Sequence, residues 1–378
     1  MTTAEVLGVG VTLLGVCGTL YTLLAAYFTG GFARRTAGTA ASFPSVTVMK
    51  PLHGAEPALA WSLETFFLQD YRGPVQFVFG VQDKADPAVA VVEDLRKRHP
   101  HADAVLVCEA RRHGSNPKIS NLMGMAAAAK HDVLVLSDSD IAVAPDYLRK
   151  LMAALEPADV GAVTCAYTGW AAAGFASRLT AMGVTYQFLA NVITGVTLGL
   201  ARPCFGSTIA IKASVLTEIG GFQAFAAVLA DDYAIGDAVR AKGYRVVIPG
   251  FAVRHACGEA SLGDWFRHEL RWMRTIRTVD PAGHWGSVVT YAFPLALLGT
   301  ILAGFTVFSL AALAAAVVAR ALLKWQIDRT FGASGGPLWL LPVRDVLSFG
   351  IFLMSLFGRA VVWQDEHLRV GGGGALIG

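Results

Sequence analysis

Charge is scarce in this chain. Asp, Glu, Lys and Arg make up 16% of its 378 residues, against roughly a quarter in a soluble domain, which excludes an ordinary, wholly water-exposed protein. Cations barely outnumber anions, and a net charge of +3 is too small for a nucleic-acid footprint, so no nucleic-acid partner is expected. Cysteine is sparse as well. Cys17, Cys108, Cys165, Cys204 and Cys257 show no C-x-x-C spacing, which excludes a zinc knuckle or a disulfide framework and agrees with a reducing, cytoplasmic compartment. Internal repeats and low-complexity linkers are missing too. The "GVGVTLLG" near the start lacks the third glycine of a dinucleotide fingerprint and lies inside an apolar run.

What the chain has instead is apolar sequence: 54% of residues are hydrophobic, and the excess lies at both ends. Val6 to Phe28 carries no charge, is long enough to cross a hydrocarbon core of about 30 Å, and is followed by Arg34 and Arg35. Basic residues favour the cytoplasmic side. Residues 1–31 therefore read as an N-terminal transmembrane anchor with everything after Gly31 inside, and the missing basic n-region argues against a cleaved signal peptide. Val288 to Val318 is a second uncharged stretch, too long for one straight crossing and without a polar turn to divide it. Leu338 to Phe357 is a third, interrupted by Arg344 and Asp345. That pair can bond to each other, line a polar cavity or mark an interfacial helix. Residues 286–360 are expected as C-terminal membrane helices, followed by a tail, 361–378, with a Gly-rich and mobile end from Gly371 to Gly378.

Residues 44–281 alternate short apolar runs with amphipathic segments, the pattern of an α/β domain with a mostly parallel sheet. "SVTVMK", "VQFVFGVQD", "AVLVCE" and "DVLVLSD" read as strands, and "ALAWSLETFFLQD", "DPAVAVVEDLRKRHP" and "NPKISNLMGMAAAAK" as helices, the last two with Asp-Pro and Asn-Pro starts. Asp138 and Asp140 thus fall at the carboxyl end of a central strand, where open α/β sheets bind ligands. Two carboxylates one residue apart repel each other unless they share a cation, and a hard divalent ion such as Mg2+ or Mn2+, bridging to a phosphate, removes that repulsion. Asp83 ends the second strand on the same sheet edge, with a turn-forming role before Asp86-Pro87 as the alternative. Asp231 and Asp232 open an amphipathic helix, where a cap accounts for one acid and a general base at the mouth of a cleft accounts for the other. In "WFRHELRWMRTIR", Arg267, Arg271, Arg274 and Arg277 recur at helical spacing, suited either to anionic lipid or, through Arg271-Trp272, to a diphosphate or sugar ring.

These stations, in this order between apolar ends, resemble the family 2 and family 21 glycosyltransferases, above all the ceramide glucosyltransferase-like branch. The resemblance rests on "KPLHGAEPALAWSLETFFLQDY", "VQDKADP", "NPKISNL", "DSDIAVAPDYL", "GGFQAFAAVLADDY" and "LRWMRTIR". It implies a GT-A fold, a UDP-sugar donor, a divalent metal (Mg2+ or Mn2+) and inversion at the anomeric carbon. By the same resemblance Asp232 is the catalytic base and Asp138 with Asp140 the metal and diphosphate station. Lys50, Pro51, Leu52, Asp83, Lys118, Asn121, Asp231, Arg271 and Trp272 are then substrate-binding residues. The chain departs from the Q/R-x-x-R-W pattern in one place: His268 occupies the first position.

The apolar Thr180–Ser207 segment is suited either to a lipid groove or to a buried helix. With the flanking anchors it points to a membrane lipid hydroxyl as acceptor. The short length and "LRWMRTIRTVDPAG" are similar to the hopanoid-associated bacterial branch, which implies N-acetylglucosamine transfer to a bacteriohopanetetrol-type hopanoid in the bacterial inner (cytoplasmic) membrane, with the catalytic domain facing the cytoplasm. The alternatives are a ceramide glucosyltransferase using UDP-glucose, a processive polysaccharide synthase, which needs more crossings, and a non-catalytic scaffold, against which the intact acid set argues.

Overall fold

The computed structural model describes residues 2–35, 42–358, 360–363, 366–370 and 376–377; of the Gly371–Gly378 tail, only Leu376–Ile377 falls within the described residues. The chain opens with α1 (Thr3–Phe32), then β1 (Val46–Pro51), α2 (Leu59–Phe67), β2 (Val75–Val81), α3 (Ala88–Arg98) and β3 (Asp103–Cys108). Next come α4 (Pro117–Ala126), β4 (Val133–Leu136), β5 (Ile141–Ala142), α5 (Tyr147–Leu155), β6 (Val160–Thr164) and β7 (Ala166–Ala171). Two helices, α6 (Phe175–Gly183) and α7 (Leu189–Thr197), flank a π-helical turn at Val184–Phe188. The chain continues through β8 (Ile209–Lys212), α8 (Ala213–Glu218), α9 (Asp231–Ala241), β9 (Arg245–Val247) and β10 (Ala252–Cys257). Helices α10 (Leu262–Val279), α11 (Pro281–Gly286), α12 (Ala292–Leu302), α13 (Val307–Phe331) and α14 (Leu340–Ser355) follow.

The chain divides into two compact units, one holding Arg35–Tyr167 and Pro203–Gly258, the other Met1–Arg34, Thr168–Arg202 and Glu259–His367. The first contains a seven-stranded sheet of order β3-β2-β1-β4-β8-β6-β9. β3, β2, β1 and β4 run parallel, with Val46 of β1 facing Val75 on one side and Val133 on the other. β8 is antiparallel to both β4 and β6. Because strand side chains alternate, Val46 and Val48 join one buried layer with Leu63, Phe66, Val92 and Leu151, and Met49 joins the opposite layer with Ile119, Leu122, Ile235 and Val239. Lys50 shares the parity of Val46 and Val48 and so points into the first layer. β4 lies between β1 and β8, which makes its carboxyl end the central one.

In the second unit α1 turns its small residues inward and its leucines outward. Gly8, Thr12, Gly15, Gly18, Thr22, Ala25 and Thr29 are buried, while Leu7, Leu13, Leu14 and Leu20 are exposed. This inversion is the packing of helices in lipid, where close backbone approach replaces the hydrophobic effect. A Cβ on Gly15 would lie 2.8 Å from the Ala296 nitrogen of α12. Thr12, Thr19, Thr22 and Thr29 return their hydroxyls to the carbonyls four residues back, so these four hydroxyls need no partner from the bilayer. Among the described residues three helical runs are long and apolar enough to cross a membrane: Thr3–Phe32, Phe175–Thr197 and Val307–Phe331.

The structure divides the Val288–Val318 stretch without a polar turn. Gly304 and Phe305 both adopt left-handed conformations (φ 69° and 58°) between α12 and α13, and Thr306 caps α13 by accepting the Ser309 N–H. Upstream, Pro281–Thr290 meets Ala292–Leu302 at a 63° bend. Arg344 and Asp345 take separate partners: Arg344 Nη2 meets Glu269 Oε1 of α10 at 2.7 Å, and Asp345 receives Arg320 of α13 through two 2.7 Å hydrogen bonds. The Phe175–Thr197 run is mostly buried, as a packed helix requires. Its π-helical turn is held by Arg320, which donates to the Tyr186 carbonyl at 2.9 Å, and by Arg344, which donates to Gln187. Of the basic stripe on α10, Arg274 donates to the Phe357 carbonyl at 3.2 Å and Arg277 to that of Gly358, just past the end of α14.

Candidate active site

Beyond β4 the chain leaves the sheet as Ser137-Asp138-Ser139-Asp140, and each of these residues is held from a distant part of the sheet unit. Lys50, fully buried at the end of β1, donates to the Asp138 carbonyl at 2.7 Å, Ser137 Oγ at 3.1 Å and the Ile141 carbonyl at 3.3 Å, with its ammonium 3.7 Å from the Phe66 ring. Burial lowers its pKa to about 7 against the pull of Asp140 and Asp138. Lys50 thus fixes the backbone that presents the two acids.

Asp138 and Asp140 each give one oxygen to a cationic partner. Lys118 Nζ of α4 lies 2.6 Å from Asp138 Oδ1 and 3.5 Å from Asp231 Oδ2. Burial opposes the charge on Lys118, but Asp138, Asp231 and Asp232 outweigh it and hold the ammonium well above its usual range. His255 Nε2 of β10 lies 3.0 Å from Asp140 Oδ2. Burial would lower the imidazole pKa, but Asp140 and then Cys257 raise it. Ser139 Oγ donates to Glu56 at 2.9 Å, which places another acid beside the pair.

Asp231 and Asp232 open α9 from inside its first turn: the N-cap position is Ala230, whose side chain makes no cap hydrogen bond. Asp231 turns inward to accept Asn116 Nδ2 at 3.2 Å. Asp232 Oδ2 accepts the Gly206 N–H at 2.8 Å and Oδ1 that of Tyr233 at 2.8 Å. Desolvation, and then the charge of Asp231, push the Asp232 carboxyl up to about 6, close to the working range of a general base. Gly206 is central to this cluster. A Cβ there would fall 2.6 Å from Lys118 Nζ and 2.7 Å from Asp138 Oδ2, so only glycine lets the backbone approach both.

The structure therefore brings together Lys50, Lys118, Asp138, Asp140, Asp231 and Asp232. Pro51 and Leu52 continue β1, and Asn121 ties that end to β2 by donating to the Gly80 carbonyl at 2.9 Å and to that of Leu52 at 3.4 Å. Asp83 closes its own turn, its Oδ1 accepting Ala85 N–H at 2.9 Å and its carbonyl accepting Asp86 N–H at 3.2 Å. His268, Arg271 and Trp272 lie on α10 in the other unit. Sequence reasoning missed Glu56, Asn116, Gly206 and His255, as well as Asp86, which binds the Gly54 N–H through both oxygens at 3.0 Å. Only "NPKISNL" held a signal for one of them, since its Asn is the cap of α4.

The donors at Asp138 and Asp140 are carboxylate oxygens, the type that Mg2+ and Mn2+ take, so the residues fit such an ion. Among the described residues no group of three or more His, Cys, Asp or Glu side chains forms a metal cage.

Comparison with known proteins places these residues in context. The family model described as Glycosyl transferase family 21 matches residues 10–376. Ceramide glucosyltransferase 1 of Caenorhabditis elegans is 25% identical over 349 residues, covering 89% of this chain and 73% of that protein. A ceramide glucosyltransferase of Candida albicans is 31% identical over 124 residues, 30% of this chain and 23% of that one. Among solved structures, a mannosyltransferase from Pyrobaculum calidifontis in complex with GDP-Man and Mn2+ superposes with a TM-score of 0.52 at 21% identity, covering 92% of this chain and 99% of that one.

Proposed function

The chain belongs to glycosyl transferase family 21, and from that premise we propose that this GT-A glycosyltransferase moves one sugar from a UDP-sugar to the hydroxyl of a membrane lipid, inverting the anomeric carbon. The observation that carries the reading is the acid and lysine cluster around Gly206. Asp232, half-buried with its pKa raised to about 6, accepts the proton of the acceptor hydroxyl as that oxygen bonds to the anomeric carbon. The bond from that carbon to the diphosphate oxygen breaks, and its electron pair leaves with the UDP. Lys118 supplies positive charge beside Asp138 and so favours an approaching diphosphate. Asp138 and Asp140 would hold the divalent ion, which supplies charge neutralisation for the leaving diphosphate. Lys50, Pro51 and Leu52 form the strand end on which the donor rests, and Asn121 keeps that end in register with β2. Asp83, His268, Arg271 and Trp272 are assigned to substrate binding by the family resemblance.

The lipid acceptor is supported by the ceramide glucosyltransferase relatives and by the apolar helices. Arg34 and Arg35 after α1 support a cytoplasmic position for the sheet unit, and the resemblance to the hopanoid-associated bacterial branch is what supports the bacterial inner membrane. For the finer specificity, N-acetylglucosamine transfer to a bacteriohopanetetrol-type hopanoid is what the resemblance to the hopanoid-associated branch implies, and glucose transfer to ceramide is supported by the relatives, which are ceramide glucosyltransferases. Purified protein in detergent, given UDP-glucose and UDP-N-acetylglucosamine against ceramide and bacteriohopanetetrol with Mg2+ or Mn2+, decides between them. A single-sugar hopanoid is the expected product. Glucosylceramide would keep the chemistry and replace the lipid, a long polymer would make the protein a synthase, and turnover of neither donor would overturn the reading.

A further inference from the structure

α10 carries His268 where the R-W segment usually has a longer amide or guanidinium side chain, and its surroundings supply something that side chain would not need. His268 Nδ1 is hydrogen-bonded to Glu259 Oε1. The Glu259 side chain is 7% exposed and that of His268 21%, so the carboxylate lies behind the ring and the ring faces outward. On its other side the imidazole meets the Trp272 indole edge-on, with centroids 4.3 Å apart at 77°. Burial alone would raise the Glu259 carboxyl, but chiefly the hydrogen bond from His268 holds it below the usual range. A ring fixed on one nitrogen by a buried carboxylate and on one face by an indole has a single polar tip left, Nε2.

We propose that Glu259 is a positioning residue for sugar transfer, acting through His268. By accepting the Nδ1–H it sets the tautomer and the ring plane, and it leaves Nε2 as the polar tip through which His268 would serve the substrate-binding role assigned to it above. The inference rests on the glycosyltransferase reading given above. Its chemical logic is that of a carboxylate orienting an imidazole in a catalytic triad, where replacing the carboxylate by an amide of equal size leaves the geometry but inverts the tautomer. An amide at 259 would donate to Nδ1 and move the proton to Nε2.

The test is a double-mutant cycle read on sugar transfer, with donor binding measured by calorimetry on the same variants and thermal melting as the control for folding. E259Q should lower kcat/KM by roughly 10- to 100-fold, the range for residues that orient a functional ligand, with the melting temperature within a few degrees of wild type. H268Q, which supplies an amide directly, should keep substantial transfer and donor binding, and in that background E259Q should cost less than about threefold. Equal losses in both backgrounds would make Glu259 merely structural and overturn the proposal, as would an unaffected E259Q or an inactive H268Q. Wild-type protein that transfers no sugar would sink the functional reading itself, an outcome separate from a wild-type enzyme that shows no coupling.

Discussion

The Gly206 N–H donates to Asp232 Oδ2 at 2.8 Å, and that short bond brings the backbone against two other charged groups. A Cβ at 206 would lie 2.6 Å from Lys118 Nζ and 2.7 Å from Asp138 Oδ2, so alanine must displace at least one of them. Misplacement of reacting groups by about 1 Å costs on the order of 100-fold in rate. Gly206→Ala is therefore expected to lose roughly that much kcat/KM while its melting temperature changes little. Steady-state transfer and thermal melting measured on the same preparation check this, and near-normal turnover would show that the cluster tolerates displacement.

Asp232 gives transfer a pH signature. Its carboxyl titrates at about 6, and only the ionised form accepts a proton, so kcat/KM should rise with pH up to about 6 and flatten above it. Stability moves the other way. A folded-state pKa raised above the unfolded value means that the folded protein binds the proton more tightly, so the carboxylate's cost is absent in acid, grows as pH rises toward 6 and is constant beyond. Asp232→Asn should abolish transfer while retaining nucleotide binding, and its melting temperature should exceed that of wild type at pH 7.5 but match it near pH 4. A variant that is inactive and also unstable at pH 7.5 would make Asp232 a structural residue.

The carboxylates at Asp138 and Asp140 predict a metal requirement. Chelation should abolish transfer, and Mn2+ or Mg2+ should restore it. Asp138→Asn and Asp140→Asn should each weaken Mn2+ binding, read directly by electron paramagnetic resonance, by at least about tenfold, since a neutral amide is a poorer ligand for a hard cation. Full transfer in excess chelator would remove the metal from the mechanism.

How much of this was legible in the sequence depends on how far apart the partners lie. The alternation of apolar runs and the Asn116-Pro117 start gave β1 through β4 and α4, and the aspartates stood out because each follows or opens a regular element. Glu56 and His255 gave no such sign. Ser139 lies 83 residues from its partner Glu56, and no local pattern connects them. Gly206 was one glycine among 40; only the proximity of Lys118 and Asp138 gives it meaning. The Gly304-Phe305 turn was hidden for a different reason. It forms through backbone conformation among apolar residues, so the hydropathy that marks the helices does not mark where they divide.

Arg320 and Asp345 show the same limit and give the last prediction. The Arg344-Asp345 dipeptide suggests a local pair, but side chains one residue apart on a helix point in different directions, and each reaches another helix instead. Arg320 and Asp345 are 8% and 7% exposed and share two 2.7 Å hydrogen bonds. Removing either charge strands the other in an apolar bundle, at a cost of about 3–5 kcal/mol, whereas replacing both with apolar residues of similar size is close to neutral. Arg320→Met and Asp345→Leu should therefore each lower the melting temperature in detergent sharply, and the double variant should recover most of the loss. Arg320 also donates to the Tyr186 carbonyl at 2.9 Å, a bond that methionine cannot make, so recovery should stop short of wild type by about 1 kcal/mol, the worth of one hydrogen bond. If the double variant is no better than the worse single one, the pair stabilises the bundle through more than mutual neutralisation, and Arg320's hold on the π-helical turn becomes its larger role.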